Sequence, residues 1–141
     1  MNHSAHDVMT KNLVTLSPDT TAEEAIEILL KHKISGAPVV ESDRTLVGIV
    51  SEYQLLAVIY DDGFKEQPIK ELMTKEVLTV DEGTLLTEIA NLFIVHRIRR
   101  LPVLHEGELV GQISRRDIIR FAVQNQKLIK EDIVVASGAI G

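Results

Sequence analysis

The 141-residue sequence predicts an α+β fold of two like halves packed face to face, with functional sites between them. An internal repeat is the first reason. Val8-Met9-Thr10-Lys11 returns as Leu72-Met73-Thr74-Lys75, sixty-four positions on. At that offset Thr15 meets Thr79, Thr20 meets Thr84, His32 meets His96, Ile34 meets Ile98 and Pro38-Val39 meets Pro102-Val103. One residue is then lost in a turn, and Leu46-Val47-Gly48 and Ser51 meet Leu109-Val110-Gly111 and Ser114. The second reason is that each copy passes between strand-like and helical patterns in one order: strand, helix, strand, strand, helix. The third is composition. With 45% apolar and 4% aromatic residues, the core is made of Ile, Leu and Val, enough for one compact unit or two small halves sharing a core.

Each copy opens on a helical turn, Ala5–Thr10 or Ile69–Thr74, followed by a short strand, Leu13–Leu16 or Val77–Val80. Thr21-Ala22-Glu23-Glu24 is a capping box, and Ala25, Ile26, Leu29 and Leu30 supply the apolar stripe of the helix it starts. The counterpart helix is expected from Thr84 through Leu85, Ile89, Leu92 and Phe93. Both helices stop near a histidine, His32 or His96, where an imidazole complements the helix dipole. Hairpins follow: Ala37–Glu41 with Leu46–Val50, and Leu101–His105 with Leu109–Ile113, each closed by a short polar turn. The last helices start at Ser51 and Ser114. The chain thus divides into a first repeat at 1–60, a polar linker at 61–68, a second repeat at 69–125 and a C-terminal tail at 126–141. From Glu131 to Gly141 that tail has no helical period.

Composition excludes several classes of function. No cysteine is present, which removes disulfides, thiolate metal sites and thiol nucleophiles and suits the cytoplasm. No apolar run approaches the ~20 residues of a membrane span, and the first residues are polar and lack a signal-peptide core. Net charge is −6, unevenly spread: residues 1–68 hold five Lys/Arg against eleven Asp/Glu, and residues 69–141 hold ten of each. Six of the seven arginines lie between Arg97 and Arg120. Arginine pairs well with phosphate or carboxylate, but an acidic chain is a poor partner for long nucleic acid. His3 and His6 leave a metal shell incomplete. No nucleophile–base pair, Gly-x-x-x-x-Gly-Lys or Gly-x-Gly-x-x-Gly appears, so no enzyme is expected.

The sharpest local signal is Gly111-Gln112-Ile113-Ser114-Arg115-Arg116-Asp117, placed where a strand hands over to a helix after Pro102-Val103. With the repeat length, this resembles the cystathionine-β-synthase (CBS) domain family in tandem, over about residues 6–122. The resemblance implies β-α-β-β-α halves related by a pseudo-twofold axis and packed through their sheets. It also implies two clefts that bind an adenosine-containing regulatory ligand, AMP, ADP, ATP or S-adenosylmethionine. By that resemblance Asp117 accepts from the ribose hydroxyls, while Ser114, the helix start, Arg115 and Arg116 hold phosphate. The chemistry is sound in itself, since a carboxylate has two acceptor oxygens for a diol and a helix start presents unpaired amides to an anion.

Carried over, this stronger site also takes the lead-in residues Met9, Lys11 and Leu13, and Ser35, Gly36, Ala37 and Pro38, whose small side chains admit a flat purine. A second, weaker site comprises Ser51, Gln54, Lys75, Arg99, Arg100, Leu101 and Pro102. Here the sequence departs from the family. Gln54 stands where the diol-accepting acid belongs, and Glu52 is an acid beside the helix start. Ser114-x-x-Asp117 and Ser51-x-x-Gln54 also read as plain capping boxes, which need no ligand. Two expectations follow from different classes. One is a stand-alone regulatory module, homodimeric through its helical faces, that reports nucleotide occupancy to an effector protein. The other is a ligand-free dimeric scaffold.

Overall fold

The computed structural model describes residues 3–125; the expected tail lies outside them. The first half contains α1 (Ala5–Val8), α2 (Ala22–His32), β1 (Gly36–Val40), β2 (Leu46–Ser51) and α3 (Glu52–Val58). Two 3-10 turns, Phe64–Glu66 and Ile69–Glu71, lead to β3 (Val80–Asp81), α4 (Leu86–His96), β4 (Arg100–His105), β5 (Glu108–Ser114) and α5 (Arg115–Gln124). Both hairpins are antiparallel, with Gly36 opposite Ser51 and Arg100 opposite Ser114. The register shifts at Val39/Val40 and again at Val103/Leu104, so even the irregularity is repeated. β3 pairs parallel with β4. The strand expected at Leu13–Leu16 is reduced to one parallel bridge, Leu16 to Val39. Pro18, two residues on, offers no amide to extend the ladder.

Helix starts explain one difference between the halves. The Thr21 hydroxyl accepts from the Glu24 amide at 3.2 Å, and the Glu24 carboxylate accepts from the Thr21 amide at 3.4 Å. In the second half the helix begins one residue later than expected, with Leu85 rather than Thr84 as N-cap. The Thr84 hydroxyl is already used, accepting from the Asp81 amide at 3.1 Å. Leu85 has no oxygen to offer, although Glu88 stands ready three positions on. Leu85→Thr is therefore expected to raise stability by about 1 kcal/mol, read as an upward shift of the urea midpoint at constant slope. Both helices end as their histidines indicate, closed by Lys33 (φ 54°) and Arg97 (φ 52°) in the left-handed region.

Each half has its own apolar core, and the lead-in turns are exchanged between them. Ala5, fully buried, packs with Val80, Ile89, Leu101, Val103 and Ile113 of the second half. Ile69, also fully buried, packs with Leu16, Leu29, Val39 and Val50 of the first. Main-chain bonds follow the same crossing. Thr10 and Gln112 exchange bonds of 2.8 and 3.0 Å, and Ile49 and Thr74 exchange bonds of 2.9 and 2.8 Å. Segment 61–68 is accordingly docked, with Phe64 against the first core and the Gln67 carbonyl accepting from the Ala22 amide at 2.8 Å. The two hairpin turns also meet. The Arg44 carbonyl accepts from the Leu109 amide at 2.9 Å, and Arg44 Nε donates to the Leu109 carbonyl at 3.1 Å.

Candidate functional site

At the strand ends away from those turns, β1 and β4 begin side by side and leave an open cleft of about 430 Å³. From the first half Ser35, Gly36, Ala37 and Pro38 line it, and from the second Arg97, Ile98, Arg99, Arg100 and Pro102. Ser51, Tyr53, Ile49 and Gln112 complete the lining. The size is within the range that holds small ligands. Arg97, Arg99 and Arg100 are exposed, and among the described residues no carboxylate lies within 4.0 Å of their charged groups. The cleft thus combines small apolar walls with an uncompensated cationic rim, suited to a flat ring carrying an anion.

The structure groups the expected site residues by main chain. The Ser35 carbonyl accepts from the Glu52 amide at 2.9 Å, and the Arg99 carbonyl accepts from the Arg115 amide at 3.2 Å. Each Ser motif therefore lies beside the strand start of its own half, and both strand starts open into one cleft. Ser114 and Asp117 do not line that cleft. Asp117 lines a smaller recess of about 140 Å³ with Asp7, Val8, Arg120, Phe121 and Gln124. The Ser4 amide, helped by His3 and His6, holds the Asp7 carboxyl there below the usual carboxylate range. Leu101 is fully buried core. Met9 fills the space over Gly111, while Lys11, Lys75, Arg115 and Arg116 are exposed.

Both motifs form the caps that their spacing permits. Asp117 Oδ2 accepts from the Ser114 amide at 2.7 Å, Ser114 Oγ accepts from the Asp117 amide at 3.1 Å, and Arg120 donates to Asp117 Oδ1 at 3.2 Å. Each carboxylate oxygen retains a second acceptor site. Gln54 is more fully used. Its Oε1 accepts from the Ser51 amide at 2.6 Å and from the Ser51 hydroxyl at 2.7 Å, and its Nε2 donates to Thr74 Oγ1 at 3.0 Å. Through the bond to Thr74, Gln54 ties the exchanged segment to α3.

Tyr53, Arg97, Ile98, Ile49 and Gln112 were not among the residues expected from sequence. Strand alternation carries a signal for two of them, since Ile49 and Gln112 project to the face opposite the buried Val50 and Ile113. Elsewhere, Ile26, Leu29, Leu30, Leu55, Leu56 and Ile59 line an apolar groove of about 340 Å³ between α2 and α3, which Tyr53 also borders. No helix among the described residues is long and apolar enough to cross a membrane.

The comparisons with known proteins agree with this architecture. The family model for the CBS domain matches residues 5–61 and again 69–124. Inosine-5'-monophosphate dehydrogenase of Aquifex aeolicus is 40% identical over 111 residues, which are 77% of this chain and 22% of that protein. The chain spans about a fifth to two thirds of the length of most curated relatives it matches. Among solved structures, CBSX2 of Arabidopsis thaliana in complex with AMP superposes with a TM-score of 0.78 at 34% identity, covering 88% of this chain and 98% of that one. The CBS domain pair of protein MJ0100, in complex with 5'-methylthioadenosine and S-adenosyl-L-methionine, gives 0.73 at 25% identity, covering 89% and 100%.

Proposed function

The chain belongs to the CBS domain family, and from that premise we propose that it is a regulatory module binding an adenosine-containing ligand in the cleft between its halves. The observation that carries this reading is the meeting of Gly36, Ala37 and Pro38 with Arg99 and Arg100 in one cleft. A purine fits against the small residues, and a phosphate or other anion against the guanidinium groups. The adenosine ligands of CBSX2 and MJ0100 support it. Ser114, Arg115, Arg116 and Asp117 form the ribose and phosphate side of the companion site on the second half, reached by Met9, Lys11 and Leu13. Gln54, Ser51 and Lys75 mark the weaker counterpart.

Occupancy biases the molecule only between states of different affinity. The reading therefore requires a responsive partner, an effector protein or a second copy of the chain. Leu30, Leu56, Ile94, Val95, Ile119 and Val123 expose 55–74% of their surface on α2, α3, α4 and α5. These helical faces suit a homodimer. A second reading, a scaffold without ligand, draws on the closed caps at both Ser motifs.

A thermal-shift panel of AMP, ADP, ATP, NAD and S-adenosylmethionine separates the two. A ligand at a hundred times its dissociation constant adds about 2.7 kcal/mol. Losing a charge-assisted contact costs about 1.5–3 kcal/mol, so the shift should largely vanish in Arg99→Ala/Arg100→Ala. Asp117→Ala also removes a cap worth about 1 kcal/mol, so its response is measured against its own unliganded midpoint. No shift with any ligand in the wild type would leave the scaffold.

A further inference from the structure

Tyr53 is a large side chain that the fold does not use. It is the second residue of α3 and is 80% exposed, although burying an aromatic ring is among the larger apolar gains open to a chain. The sequence has two tyrosines, three phenylalanines and no tryptophan, so rings are scarce. Yet Tyr53 borders the 430 Å³ cleft and, among the described residues, is the one aromatic lining it. Its repeat counterpart is Arg116, so a ring appears in the first half where the second has a cation. The same half has lost the acid of its Ser motif to Gln54, whose side-chain oxygen and nitrogen are bonded to Ser51 and Thr74. A ligand held on this side therefore needs a contact other than the ribose acid, and a ring offers one to the face of a purine.

We infer that Tyr53 is a ligand-contact residue that stacks on the base, leaving the anionic end of the ligand to Arg97, Arg99 and Arg100. This rests on the cleft being an adenosine-ligand site and assigns the base its partner. Tyr53 also borders the groove between α2 and α3, so the competing role for its ring is part of that apolar face. Base–aromatic stacking is worth roughly a five- to hundredfold change in affinity.

The test is calorimetric titration of AMP, ATP and S-adenosylmethionine into wild type, Tyr53→Phe, Tyr53→Ala and Tyr60→Ala. Tyr60 is 97% exposed and borders neither cavity, which makes it the control. Tyr53→Ala should weaken every adenosine ligand that the wild type binds, roughly five- to hundredfold. Tyr53→Phe and Tyr60→Ala should bind as the wild type does, and the unliganded melting points should agree because both tyrosines are exposed. Unchanged affinity in Tyr53→Ala overturns the inference and gives the ring to the groove, while the ligand reading stands. An equal loss in Tyr53→Phe overturns stacking in favour of the hydroxyl. If the wild type binds none of these three, and neither ADP nor NAD, the ligand reading fails and this assignment with it.

Discussion

Ile69→Ala is expected to lower stability by about 2–5 kcal/mol and to loosen the half to which Ile69 does not belong in sequence. Ile69 follows the linker and opens the second repeat, yet it is fully buried among Leu16, Leu29, Val39 and Val50. Its amide donates to the Thr20 carbonyl at 2.8 Å, and its carbonyl accepts from the Met73 amide at 2.8 Å, so the backbone is held while the side chain is removed. Hydrogen exchange checks the location. Amides of α2, β1 and β2 should lose protection before those of β4 and β5. The reverse order would show that Ile69 supports its own repeat, and the exchange of lead-in segments would not govern stability.

Much of the fold was legible because the repeat imposes the same local chemistry twice. The Thr21 capping box, the Pro38-Val39 and Pro102-Val103 strands and the Ser51 and Ser114 helix starts each follow from side-chain type and spacing. The start of α4 falls one residue past Thr84 because the turn at Asp81 takes the Thr84 hydroxyl, which leaves Leu85 as an N-cap without an oxygen. The resemblance already set Met9, Lys11 and Leu13 with Ser114 and Lys75 with Ser51, but the residues that anchor this exchange in the cores were not legible. Ala5 and Ile69 carry no mark of which of two similar cores they enter, because both cores demand the same shape. The site was read in part. Gly36, Ala37, Pro38, Arg99 and Arg100 were expected, but from sequence they belonged to different clefts. Only β1 and β4 beginning side by side brings them together. Nothing in the sequence singles out Tyr53, because an exposed aromatic in a helix has no signature of its own.

The glycine that opens each Ser motif explains how the exchanged segments seat, and Gly111→Ala should cost about 1–3 kcal/mol. A Cβ at Gly111 lies 2.6 Å from Met9 Sδ, 2.9 Å from its Cγ and 3.0 Å from the Thr10 carbonyl oxygen. The Met9 side chain is unbranched and adapts. The Thr10 carbonyl does not, because it accepts from the Gln112 amide at 3.0 Å. Met9→Ala in the Gly111→Ala background therefore relieves the first obstruction and leaves the second. The double variant should be less destabilised than the sum of the singles, by about 0.5–3 kcal/mol, while remaining below the wild type. Gly48→Ala meets Met73 Sδ at 2.6 Å and the Thr74 carbonyl at 2.9 Å, so the companion cycle with Met73→Ala should give the same sign. Urea unfolding of both sets decides it. Strict additivity in either cycle would mean that methionine does not seat the exchanged segment, and the backbone approach alone would then account for glycine at that strand position.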